Sequence, residues 1–243
     1  MAGEIRDVSG TRFEHLNLSG TRVHGAFLVD TKVTGAWVHS LDLSGEIQSL
    51  VVNGVEVAGY VQAELERRHP ELRYLDAQDV PDLRRAWGKV QEIAAATLDT
   101  ARRLPPAMLD ESVDDEYSYL QTLRHLVFAA DRWVTGPVLG REDPFHPLGY
   151  PYDSAPPAEL APLDLDATPT LDDVLEVRAE RRSFVDTLVR DATDESLARV
   201  VDSPNGGTTT VGDCIRVVLF EEWWHHRYAD RDLAVLASRT DGS

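Results

Sequence analysis

From residue 11 the chain advances in fives. TRFEH, LNLSG, TRVHG, AFLVD, TKVTG, AWVHS and LDLSG follow without a gap, and the third position of every unit is apolar: Phe13, Leu18, Val23, Leu28, Val33, Val38 and Leu43. The first position is mostly small or branched, as at Thr11, Thr21, Ala26, Thr31 and Ala36. Strand side chains repeat every 2 residues and helix side chains every 3.6, so neither element explains a strict period of five. A solenoid does, with one unit on each side of the coil and the apolar position facing inward. The period breaks at Glu46–Gln48, where an Asn53–Gly54 turn between valine-rich arms reads as a hairpin. Tyr60, Val61, Leu65 and Arg68 then predict a short helix stopped by Pro70. This stretch is expected to cap the coil.

Beyond it the apolar spacing changes to that of amphipathic helices. Four long segments are predicted, over residues 80–104, 116–139, 170–192 and 211–238. Pro81 opens the first and Pro105 lies just past its end, while Thr170 and Asp173 are spaced as a capping box for the third. A proline-rich connection, 141–169, separates the second from the third. Four such helices with one long crossover predict a four-helix bundle. The fold class is therefore α+β multidomain: a short β-helix over 1–75, then an all-α four-helix bundle over 76–243.

The net charge of −18 excludes an ordinary nucleic-acid binder, which needs a basic stripe to displace counterions, and it equally disfavours anionic membranes. Residues 1–70 hold nine acids against six Lys and Arg, net −3, which leaves −15 for the remainder. No run of about 18 apolar residues is present and the first residues lack an apolar signal core. The single cysteine, Cys214, rules out an intramolecular disulfide and suits a reducing compartment, so a cytoplasmic protein is expected.

Candidate chemistry concentrates in FEEWWHHRYADRDL, residues 220–233. On a helix Glu221 meets His225, and Glu222 meets His226, one turn later on the same side. With His125 from the second helix, either pair supplies a three-ligand metal site that leaves a coordination position open. A polar patch on a helix that buries its tryptophans is the plainer alternative. Spacing leaves both registers open, because Glu222 and His226 fall inside the apolar stripe of Ile215, Leu219, Leu233 and Leu236, with Glu221 and His225 at its edge. Tyr228, Arg231 and the crossover residue His146 are weaker candidates for lining a site. Cys214, Trp223 and Trp224 read as packing residues, and His15, His24 and His39 as outward positions of the coil.

The period-five stretch resembles the pentapeptide-repeat family, whose right-handed quadrilateral β-helix stacks four units per coil. Seven units make less than two coils. The second module, on TLRHL and EEWWHHRYADRDL, resembles the DinB-like superfamily, including its mycothiol-dependent maleylpyruvate isomerases and thiol S-transferases. The isomerase pattern, a glutamate followed four later by the first of two adjacent histidines, maps onto Glu221 and His225. The resemblance thus implies His125, Glu221 and His225 as ligands to a divalent metal, zinc above all, with nickel or iron compatible. The His-His-Arg pattern of other members maps instead onto Glu222 and His226. It further implies a mycothiol-like thiol as co-substrate and a small electrophile as its partner. A homodimer is compatible with it. The alternative is a non-catalytic metal-binding or protein-interaction protein acting through the repeat module.

Overall fold

The computed structural model describes residues 7–23, 25–45, 47–75, 77, 79–152 and 155–240; His24 and Glu46 lie outside them. The chain divides into two compact units, Met1–Arg68 and His69–Ser243.

In the first unit the sequence period is also a period of backbone conformation. Gly10, His15, Gly20, Gly25, Asp30, Gly35 and Gly45 all have positive φ. Hydrogen bonds from Thr11 N to Val8 O (3.2 Å) and from Thr21 N to Leu18 O (3.1 Å) close two turns, with Gly10 and Gly20 at the third turn position. A left-handed residue there is what a type II turn requires. Asp7 and Asn17, ten residues apart, each accept from a serine amide two residues on, at 2.8 and 3.0 Å. No strand is defined among the described residues from 7 to 45. The apolar third positions stay open, from 42% exposed at Leu43 to 77% at Val33. Seven units make fewer than two coils, too few to bury a solenoid core alone, and leave no neighbouring layer to close one.

The expected hairpin follows. Strands β1 (Val51–Val52) and β2 (Val55–Glu56) pair antiparallel. Asn53 and Gly54 between them have φ of 50° and 82°, the paired left-handed residues of a two-residue turn that matches strand twist. The Glu56 carboxylate accepts from Ser49 Oγ (2.6 Å), Leu50 N (3.0 Å) and Ala58 N (2.9 Å). It thereby ties the hairpin to the start of helix α1 (Ala58–Arg68).

The second unit begins with the short helix α2 (Leu72–Leu75), whose buried leucines pack with the helices that follow. Its long helices are α3 (Val80–Ala101), α4 (Tyr119–Ala130), α6 (Leu171–Arg190) and α8 (Val211–Thr240). The short helices α5 (Pro157–Leu160) and α7 (Asp194–Ala198) and the hairpin β3 (Val200–Asp202) and β4 (Thr208–Thr210) fill the connections. Three of the four long helices stand within a few residues of where the sequence puts them, and α4 is shorter than the expected 116–139. Asp79 caps α3, and Thr170 with Asp173 forms the expected capping box of α6. Ser118 and Gln121 form a second such box on α4.

Helix α3 packs on α8, and α4 on both α6 and α8. Leu83, Trp87 and Val90 of α3, Leu123, Leu126 and Phe128 of α4, Val185 of α6, and Ile215, Leu219 and Trp223 of α8 are all buried. Helix α4 ends earlier than the apolar pattern suggests. It widens into a π-turn over Asp131–Thr135, where Gly136 N donates to Asp131 O at 3.0 Å. The cause is Asp131. It is fully buried, accepts from Arg181 Nε at 2.8 Å and from the backbone N of His146 at 2.9 Å, and so serves α6 and the crossover together.

One side chain organises the crossover. Buried Arg124 donates to the carbonyls of Leu148 (2.9 Å), Asp164 (2.7 Å) and Ala167 (2.9 Å). Its own carbonyl accepts from Tyr150 N at 3.1 Å. Arg124→Leu would leave three carbonyls without their charged donor, at a cost of roughly 2–4 kcal/mol. We expect a lower urea midpoint and faster proteolysis between residues 145 and 167. Unchanged cleavage there would show that the crossover holds itself.

Candidate metal centre

Adjacent residues on a helix project about 100° apart, so the doubled motif on α8 addresses two different neighbours. Glu221 and His225 face His125 on α4. Their ligand atoms and that of His125 all lie within 4.8 Å of one another. Glu221 Oε2 is 3.4 Å from His125 Nε2 and 3.1 Å from His225 Nε2. Tetrahedral coordination at about 2.0–2.2 Å places ligand atoms roughly 3.3–3.6 Å apart. The distances from the carboxylate to the two imidazoles lie close to that spacing, as a shared divalent ion would need.

The His125 ring is already oriented for this. Its Nδ1 lies 3.0 Å from the carbonyl of Tyr150. A carbonyl can only accept, so Nδ1 carries a hydrogen, and Nε2 is the nitrogen turned toward Glu221. Tyr117 flanks both imidazoles, its ring centroid 5.4 Å from that of His125 and 6.2 Å from that of His225. The Tyr117 hydroxyl donates to the carbonyl of Pro151 at 3.2 Å, and Tyr228 closes the far side of His225.

Protonation is set the same way. Burial pushes His225 below its ordinary value, against the pull of Glu221 toward the charged form. Burial would raise Glu221, but hydrogen bonds from His125 and His225 and their charge outweigh it and hold the carboxyl well below the usual range. An ionised carboxylate is the form that ligates a cation.

Glu222 and His226 are occupied elsewhere. Arg178 of α6 grips the Glu222 carboxylate with two bonds of 2.7 and 2.8 Å, and all three residues are buried. His226 Nε2 lies 3.3 Å from the same carboxylate. His125 meets Glu221 and His225, not this pair. The sequence pattern carried no sign of Arg178, because a charged residue on an amphipathic helix reads as solvent-facing unless its partner is known.

The weaker candidates disperse. Arg231 pairs with Asp232 (2.7 Å) and Glu116 (2.9 Å). The His146 ring accepts from Leu148 N at 3.1 Å and braces its own loop. Trp223 is fully buried with Nε1 donating to Glu71 at 3.2 Å, and Trp224 packs edge-on against it. Cys214 is fully buried, and burial pushes its thiol up to about 11. We expect no reaction with Ellman's reagent at pH 8 until the chain is unfolded; prompt labelling of native protein would contradict that placement.

A helical bundle whose facing helices hold a His/Glu/His cluster defines a class of internal metal-site bundles. The model of the DinB superfamily matches residues 89–229, which include all three cluster residues, and the chain belongs to that superfamily. Its members commonly bind a divalent metal and are often enzymes. No curated protein and no solved structure matches the chain. No helix among the described residues is long and apolar enough to cross a membrane.

Proposed function

We propose that the protein is a metal-dependent enzyme that activates a low-molecular-weight thiol for addition to a small electrophile, ending in S-transfer or isomerisation. The observation that carries this is the convergence of His125 Nε2, Glu221 and His225 within coordination distance, with His125 Nδ1 anchored to a backbone carbonyl. Zinc suits two imidazoles and a carboxylate best, and nickel or iron is compatible. When bound, such an ion supplies stabilisation of a thiolate at neutral pH. The chain's own residues do the remainder. His125 and His225 offer imidazole nitrogens, Glu221 brings a negative charge that partly neutralises the cation, and Tyr117 shields the imidazoles with an apolar ring.

A mycothiol-like thiol fits the superfamily's isomerase branch, whose glutamate–histidine pattern the spacing of Glu221 and His225 follows. The period-five unit is read as a short pentapeptide-repeat coil, supported by its seven consecutive units and by the left-handed residues recurring at every fifth position from Gly10 to Gly35. A cytoplasmic setting agrees with the single buried thiol. Elemental mass spectrometry on gently purified protein tests the metal, with about one divalent ion per chain expected. Thiol consumption in the presence of maleylpyruvate-like electrophiles tests the chemistry. Full metal without thiol turnover would leave a binding protein; absence of metal would end the proposal.

A further inference from the structure

The interior of the bundle holds a second polar cluster, distinct from the three metal ligands. A cavity of about 50 Å³ is lined from α3, α4, α6 and α8 together. Leu98 and Leu123 contribute apolar walls, and Tyr119, Arg178, Arg182 and His226 contribute polar groups. None of His125, Glu221 and His225 lines it.

These polar groups are unequally served. Arg178 is satisfied by its two bonds to Glu222. Arg182, one turn further along α6, is half-buried and makes no hydrogen bond or ion pair among the described residues. Glu222 and Asp186 act on it through their charge alone, and Asp186 accepts from Trp87 Nε1 instead. Tyr119 is 4% exposed and His226 1%, yet Tyr119 Oη and His226 Nδ1 have no protein hydrogen-bond partner. Buried polar atoms of this kind are rare in native proteins, because each forfeits its hydration.

The chemistry of these groups selects the occupant. A guanidinium can only donate, and burial pushes the Tyr119 phenol up, which keeps its hydroxyl a donor. Two donors lining one cavity call for an acceptor. Charge gives the sign. Arg178 and Arg182 stand one turn apart on α6, where like charges repel, and the single carboxylate beside them is already held by Arg178. Size sets the limit: organic ligands fill pockets of roughly 300 Å³ or more, whereas a buried water needs about 10–15 Å³. The cavity is also partly open, so an ion can enter without unfolding the bundle.

We propose that this cavity binds a small monovalent anion of chloride size, held by the Arg182 guanidinium and the Tyr119 hydroxyl beside the Arg178–Glu222 pair. His226 Nδ1 bonds a water that accompanies the ion. The site exists only in the folded chain, which alone brings α4 and α6 together, so the anion stabilises the native state. The inference is independent of the metal reading.

Urea unfolding of the full chain at pH 7 tests it, with chloride exchanged for gluconate at constant ionic strength, because gluconate is too large to enter. Raising chloride from about 1 mM to about 100 mM is expected to lower the wild-type unfolding constant roughly tenfold, as for an ion bound with a Kd of about 10 mM. Arg182→Met and Tyr119→Phe, made singly, are each expected to lose most of that dependence. The second removes one oxygen and keeps the ring, so it leaves the packing of α4 in place. A wild type indifferent to chloride would overturn the proposal and leave the cavity to water. An equal response in all three proteins would overturn it as well, as an effect of salt on the surface or at the metal centre.

Discussion

His125→Ala is expected to reduce bound divalent metal from about one ion per chain to near none, as read by elemental mass spectrometry beside wild type. The loss should be this large because His125 is the one ligand of the cluster outside α8. Glu221 and His225 on a single helix can hold an ion only from one side. Removing even an outer partner of a metal ligand typically costs 10–100-fold in affinity, and removing the ligand itself costs more. His225→Ala should behave alike. His226→Gln should keep its metal, because Nε2 of that residue addresses Glu222. Full metal retention in His125→Ala would sink the site assignment, and loss in His226→Gln alone would transfer it to the other register.

The second large effect concerns stability. Arg178→Met leaves the Glu222 carboxylate buried with only His226 beside it, and breaking a buried pair in this way costs about 3–5 kcal/mol. Urea unfolding at pH 7 measures it. Adding Glu222→Leu should restore much of the loss, since two apolar residues no longer leave a charge stranded. The acid limb follows from the same pair. Burial works to raise the Glu222 carboxyl, but the Arg178 charge, the His226 imidazole 3.3 Å away and the two hydrogen bonds from Arg178 prevail and hold it well below its ordinary 4.5. A group depressed in the folded state stabilises fully above that ordinary value and less as pH falls below it. The double variant should therefore lose less stability than wild type between pH 5 and pH 3. Equal losses would mean that other carboxylates control acid unfolding.

Much of this was legible in the sequence, and for identifiable reasons. The four long helices were, because each carries an apolar stripe at helical spacing, sharpened by Pro81 and Pro105 at the first and by the Thr170–Asp173 pair at the third. The Asn53–Gly54 hairpin was, because few dipeptides accept two left-handed residues in succession. The cluster was half legible. Periodicity alone placed Glu222 and His226 in the buried stripe, correctly, yet burial alone does not say whether a carboxylate meets an imidazole from α4 or a guanidinium from α6. That depends on helix rotation within the bundle. Asp131 and Arg181 were invisible for the same reason, and with them the π-turn that ends α4. The coil read over the first unit rests on period alone, which says which side chains are alike and nothing about what covers them.

The hold on His125 comes from a backbone oxygen, and that shapes how the protein can diverge. Any residue at position 150 carries the same carbonyl, so the anchor on the imidazole does not itself require the tyrosine ring, which packs instead on Tyr117 and Arg124. What must persist is the path of the connection: its length between α4 and α6, and the guanidinium of Arg124 that gathers three of its carbonyls. Relatives would accordingly show a crossover variable in letters and fixed in course. Insertions there, more than substitutions, would mark the lineages in which the centre has been lost.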